Sequence, residues 1–72
     1  MKYFIGYKQN EDTYMYVNNI GTIIGATLTY SNAIDFLSKE NAINVCNFLN
    51  EYDEVHEYIV LEYKYSIKEV GE

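Results

Sequence analysis

The sequence predicts a small α+β domain: an antiparallel sheet in the order β-β-β-α-β, with one main helix packed on one face. Three observations lead there. Short runs between residues 2 and 29 alternate apolar and polar side chains and are separated by polar turns, which is the signature of a meander of strands. The period then changes to that of a helix over residues 39–51. From residue 55 to 70 the alternation of a strand returns.

Each element follows from its residues. Lys2 to Lys8 alternates with Tyr3, Ile5 and Tyr7 on one face, and Gln9-Asn10-Glu11-Asp12 is a polar turn. Thr13 to Val17 is rich in strand formers. Asn18-Asn19-Ile20-Gly21 reads as the next turn, since Asn and Gly accept positive φ. Thr22 to Thr29 reads as a third strand, in which Gly25 marks a bulge or a close backbone approach. Ser31 to Leu37 has the spacing of one short helical turn. Ser38 is suited to cap a helix from Lys39 to Glu51, with Glu40 in the first turn, where the helix dipole favours an acid. Ala42, Val45, Cys46 and Leu49 form its apolar stripe, broadened by Ile43 and Phe48. Between Val55 and Val70 the odd positions Val55, Ile59, Leu61, Tyr63, Tyr65 and Ile67 are apolar, while His56, Glu62, Lys64, Ser66 and Lys68 are polar. Sixteen residues is long for one strand, so a bend or a projecting end is expected.

Residues 1–72 make a single domain. A chain of this size buries only about 60% of the surface it exposes when unfolded, and such domains commonly add a disulfide, a metal or self-association. One cysteine, Cys46, excludes an internal disulfide, and with one histidine it is too little for a structural zinc site. Self-association remains, and a homodimer is expected. No stretch has the length of a membrane span and the first residues hold no apolar run of signal-peptide length, so the expected place is the cytoplasm, away from membranes. The abundance of Tyr, Asn and Ile, with no Arg, Trp or Pro, is what AT-rich codons produce and associates the chain with a low-GC bacterium or its phages.

The chemistry is carried by charge. Eleven carboxylates face five lysines, a net charge of −6, and Glu51, Asp53, Glu54 and Glu57 are close together in the chain. A field of that sign repels nucleic acid and membranes and attracts basic surfaces. Phosphate-loop, dinucleotide, metalloprotease and Cys-x-x-Cys motifs are all absent. His56 falls on the polar face of a strand, where a solvated histidine is the plain expectation, and Cys46 lies on the helix stripe as an inert buried thiol. Glu57 and Glu62, an odd number of residues apart, point to opposite faces of a regular strand and make a poor acid–base pair. No catalytic, cofactor or metal site is therefore expected. A charge run is often no more than a solvated face. As a binding surface, acids two residues apart on an extended chain lie about 6.6 Å from each other, a spacing resembling that of phosphates along a nucleic-acid strand. Glu51, Asp53, Glu54, Glu57 and Glu62 supply such a surface, Tyr52 and Tyr58 its anchors, and Glu11 and Asp12 a second patch.

In size, residue bias, acid excess and the layout around FLSKENAINVCNFLNEYDE, the chain resembles the small acidic host-takeover proteins of phages that infect low-GC bacteria. The resemblance implies a non-enzymatic inhibitor that occupies the DNA-binding surface of a host protein, with no direct contact to nucleic acid. The replication sliding clamp is the preferred target it implies. The chain has no clamp-binding peptide of the Q-x-x-Φ-x-x-aromatic type, so plugging the basic channel is favoured over competing for the peptide pocket. Two other expectations stand beside it: a structural or assembly protein that pairs through strand edges and tyrosines, and a small enzyme or ligand binder.

Overall fold

The computed structural model describes residues 1–70. Its strands are β1 (Lys2–Asn10), β2 (Thr13–Asn19), β3 (Gly25–Thr27), β4 (Ile59–Tyr63) and β5 (Ile67–Glu69), and its helix is α1 (Lys39–Tyr52). The sheet order is β3-β2-β1-β4-β5 and every pairing is antiparallel. This is the expected α+β arrangement, with the long final run divided into two strands. The division falls at Lys64-Tyr65-Ser66, where the chain turns and Tyr63 pairs with Ile67.

The helix begins where its cap was expected. Ser38 Oγ accepts a hydrogen bond from the Asn41 amide at 3.2 Å, satisfying one of the free donors of the first turn. Ala42, Cys46 and Leu49 are buried against the sheet and Val45 is half-buried. Ile43 and Phe48 lie outside this stripe, with Phe48 56% exposed. The angular spread of a helix explains this: Phe48 is two residues from Cys46, about 200° round the axis.

The sheet buries both faces. On the helix side Ile5, Val17 and Tyr58 join Cys46 and Leu49 in one core. On the far side Phe4, Tyr16 and Leu61 form a second, with Tyr14, Tyr63 and Ile67 against it. Alternation along β1 explains the division, since Phe4 and Ile5 point to opposite faces. No helix covers the far side among the described residues. A 3₁₀ turn at Tyr30–Asn32 does so instead, its Tyr30 ring set edge-on to Phe4 and Tyr16 and stacked on Tyr63.

Residues 31–37 are not the helical turn their spacing predicts. After the 3₁₀ turn the chain runs extended and wedges between the splayed ends of β1 and β2. Phe36 exchanges both backbone hydrogen bonds with Tyr3 (2.8 and 2.9 Å), and the Ile34 amide donates to the Val17 carbonyl at 3.0 Å. Backbone groups left unpaired where two strands diverge outweigh the weak local helix signal. The third strand is also shorter than expected, because Ile23 is turned out to solvent and its carbonyl accepts from the Asn19 side chain. Gly25 sits opposite Asn19 at a register shift, and a Cβ there would lie 2.6 Å from Asn18 Oδ1. The preceding turn uses no positive φ, since no described residue adopts one.

Candidate protein-binding surface at the acidic end of the sheet

The surface is built from the helix C-terminus downward. Asp53 caps α1 through its backbone amide, which donates to the Leu49 carbonyl at 2.8 Å. Its carboxylate then turns inward. One oxygen accepts from the Val55 amide at 2.9 Å, and the other accepts from the Tyr58 hydroxyl at 2.6 Å and lies 3.2 Å from His56 Nδ1. Hydrogen bonds of this kind favour the ionised form. The Tyr58 hydroxyl, the Val55 amide and His56 hold the Asp53 carboxyl down at about 2. Burial and the same carboxylate push the Tyr58 phenol well above its ordinary value of 10.0.

A second clamp acts on the backbone. The Asn50 side chain donates to the Tyr58 carbonyl at 3.0 Å and accepts from the Tyr58 amide at 2.7 Å, copying the pairing of a neighbouring strand. The His56 ring is stacked on Tyr7 with centroids 4.0 Å apart. Asp53, His56 and Tyr58 are thus held inward, and the residues between them, Glu54, Val55 and Glu57, are exposed. A fixed loop presents these side chains without the ordering cost a mobile one would incur on binding.

Strand register gathers further acids at this end. Gly6 pairs with Ile59, so β1 runs on past the start of β4 toward the Glu11–Asp12 turn, and Leu61 opposite Glu69 brings the end of β5 alongside. Glu11, Asp12, Glu51, Asp53, Glu54, Glu57 and Glu69 therefore share one end of the sheet. Lys8 is ion-paired with Glu69 at 3.8 Å, and no cation lies within ion-pairing distance of Glu11, Asp12, Glu51, Glu54 or Glu57 among the described residues. Lys2, Lys39 and Lys64 belong to the opposite end, by the register of Lys2 with Tyr63 and by the start of α1 after Phe36. Asp35 and Glu40 lie at that end too, which leaves it close to balanced, so the acid excess is concentrated at the other end.

Aromatic surface adjoins the acids. Phe48 and Tyr52, one helical turn apart, stack with centroids 6.0 Å apart and an interplanar angle of 13°, and Tyr52 is 59% exposed. Glu51 lies beside them and Val55, 84% exposed, follows on the loop.

Three expected site residues are corrected. Tyr58 is not a surface anchor: it is 3% exposed and belongs to the helix-side core. The strand begins one residue later, and Asn50 and Asp53 draw Tyr58 in. Asp53 keeps its charge but is committed to three internal donors. Glu62 is half-buried inside β4 between Tyr3 and Lys68, away from the acidic end. Glu51, Tyr52, Glu54, Glu57, Glu11 and Asp12 are exposed. Sequence reasoning missed Phe48 and Val55 as surface. The i, i+4 spacing of Phe48 and Tyr52 was the available signal for their pairing. His56 is likewise part of the loop clamp, not a free strand residue.

An aspartate–histidine pair can orient a general base. Here it faces a shallow hollow of about 390 Å³ bordered by Tyr7, Lys8 and Glu57. The thiol of Cys46 is buried and pushed up by desolvation, with Asn50 Nδ2 3.8 Å from its sulfur. No group of three or more His, Cys, Asp and Glu residues suited to a metal occurs among the described residues. No described helix is long and apolar enough to cross a membrane. No family model, curated protein or solved structure matches this chain.

Proposed function

We propose that this chain is a non-enzymatic binding protein that presents its acidic end to a basic, nucleic-acid-handling surface of another protein. The observation that carries the reading is the set of unpaired acids Glu51, in the last turn of α1 beside the exposed Phe48–Tyr52 stack, and Glu54 and Glu57, on the following loop fixed by Asp53 and Asn50. Carboxylates supply attraction and register toward lysine and arginine, and the rings supply contact area and a face for guanidinium groups. A phage inhibitor acting in the cytoplasm of its host, on a channel built for a duplex such as that of a sliding clamp, is the specific case taken from the resemblance above.

Assembly through strand edges has less support. Both edge strands, β3 and β5, are three residues long, and β5 carries Lys68 and Glu69, features that blunt edge pairing.

The test is affinity capture from a low-GC bacterial lysate at low and high salt, followed by titration of the retained protein in purified form. The expected partner binds DNA, is lost at high salt, and loses affinity for the Glu54→Lys/Glu57→Lys variant with the fold intact by circular dichroism. A partner held equally at both salts, or one indifferent to the double reversal, refutes the reading.

A further inference from the structure

The lysine end of the far sheet face holds a hollow that the acidic surface does not involve. Its volume is about 550 Å³, within the roughly 300–1,000 Å³ of small-molecule sites. Its walls are aromatic: Phe4 lies at the base, and Tyr30 and Tyr63 stack with centroids 5.1 Å apart and an interplanar angle of 28°. Lys2, Lys64 and Asp35 stand at its border. In a chain with five lysines and a net charge of −6, a border where two lysines outnumber one aspartate is a local exception to the field of the whole molecule. Neither is locked in place. Lys2 makes a solvent-exposed pair with Asp35 at 3.6 Å, of the kind that contributes little, and Lys64 rests 5.6 Å from the centre of the exposed Tyr65 ring.

We propose that this hollow binds a small planar anion, with a mononucleotide as the class that fits. Its ring lies against Phe4, Tyr30 and Tyr63, and its phosphate is directed to Lys2 and Lys64. The aromatic walls supply stacking, which accepts any base because every base has a π-face. The lysines supply the charge. With Lys2 paired to Asp35, Lys64 leaves the border one net positive side-chain charge for a single phosphate group, whereas a nucleic-acid chain leaving the hollow would run into the field of the remaining carboxylates. The ligand is therefore a monomer and not a strand.

The experiment is a titration of the isotopically labelled protein, followed by amide chemical shifts, with adenosine monophosphate, adenosine, ribose 5-phosphate and a short acidic peptide as separate probes. Adenosine monophosphate is expected to give saturable shifts confined to the amides around Lys2, Phe4, Tyr30, Tyr63 and Lys64, with adenosine and ribose 5-phosphate each weaker. Lys64→Gln, an exposed substitution, should reduce the monophosphate to the affinity of adenosine and leave adenosine unchanged. Tyr63→Ala should weaken both ring-bearing probes about tenfold, with spectral dispersion reporting that the fold survives. Three results each overturn the proposal: no saturable shift with the monophosphate, a wild-type affinity in Lys64→Gln, or a peptide response at these amides equal to that of the nucleotide, which would make the hollow a protein-docking site.

Discussion

Replacing Asn50 by alanine tests whether one side chain joins the helix to the sheet. Asn50 supplies both partners of the Tyr58 peptide, at 2.7 Å to the amide and 3.0 Å to the carbonyl. Alanine removes both bonds. Each is worth about 1 kcal/mol net, and more where the abandoned group has no access to water. The site is only partly buried, so a loss of about 2–3 kcal/mol is expected. At roughly 0.05–0.15 kcal/mol per residue, a chain of 72 residues has about 4–11 kcal/mol in total. The variant therefore gives up a large share of its stability. With a urea slope near 1 kcal/mol/M, the unfolding midpoint falls by about 2–3 M. Asn50→Asp sharpens the test, because it retains an acceptor for the Tyr58 amide but sets a carboxylate against the Tyr58 carbonyl. It should be no better than alanine at neutral pH and should recover partly in mild acid. An Asn50→Ala midpoint within about 0.5 M of wild type would refute the clamp.

Asp53 gives the chain an acid-sensitive element. Its folded value of about 2 lies below its ordinary 3.8, so its contribution is complete at neutral pH and is lost as pH falls from about 4 through about 2; urea midpoints measured across that range should flatten in Asp53→Asn. Tyr58 works in the opposite sense: its raised value means its contribution is intact below pH 10.0 and declines as pH rises beyond that, a slope that Tyr58→Phe should remove. Cys46, buried and with its thiol pushed up, should react with a disulfide reagent far more slowly in the native protein than in denaturant, and equal rates would show that the helix does not seal it. Gly6→Ala would drive a methyl group into the Met15 carbonyl oxygen and close to Leu61, so β1 and β2 must separate, at about 2 kcal/mol by thermal unfolding.

The helix and the meander were legible because local signals agreed with the fold: a serine cap, a 3.6-residue stripe, and strands broken by polar turns. The final run misled at both ends. Its alternation is genuine, for Ile59, Leu61, Tyr63 and Ile67 share the far face, but alternation does not mark a hairpin that lacks Gly or Pro, nor a loop held by a carboxylate. Tyr58 was misassigned for the same reason. Its burial depends on Asn50 and Asp53, eight and five residues away, whose side chains replace a strand partner and a phenol acceptor. The acids were visible as a run in the chain, but their gathering with Glu11, Asp12 and Glu69 depends on register, which single-sequence patterns do not fix. The wedge of residues 34–36 was invisible, because it answers a need for backbone partners created elsewhere in the sheet.

That wedge, with the pairing of β1 to β4, also fixes the order in which the chain can be completed. The central strand precedes the other four in the chain, yet its leading half has no permanent neighbour until residues 34–36 arrive on one side and residues 59–63 on the other. Lys2 waits for Tyr63. Closing so distant a pair costs chain entropy before it returns any contact, which slows folding relative to local hairpins. A chain halted at residue 58 should show amide protection in the β1–β2 hairpin turn at most and none at Phe4 or Ile5. The domain is assembled around β1, and only the later arrival of Phe36 and β4 makes that strand hold.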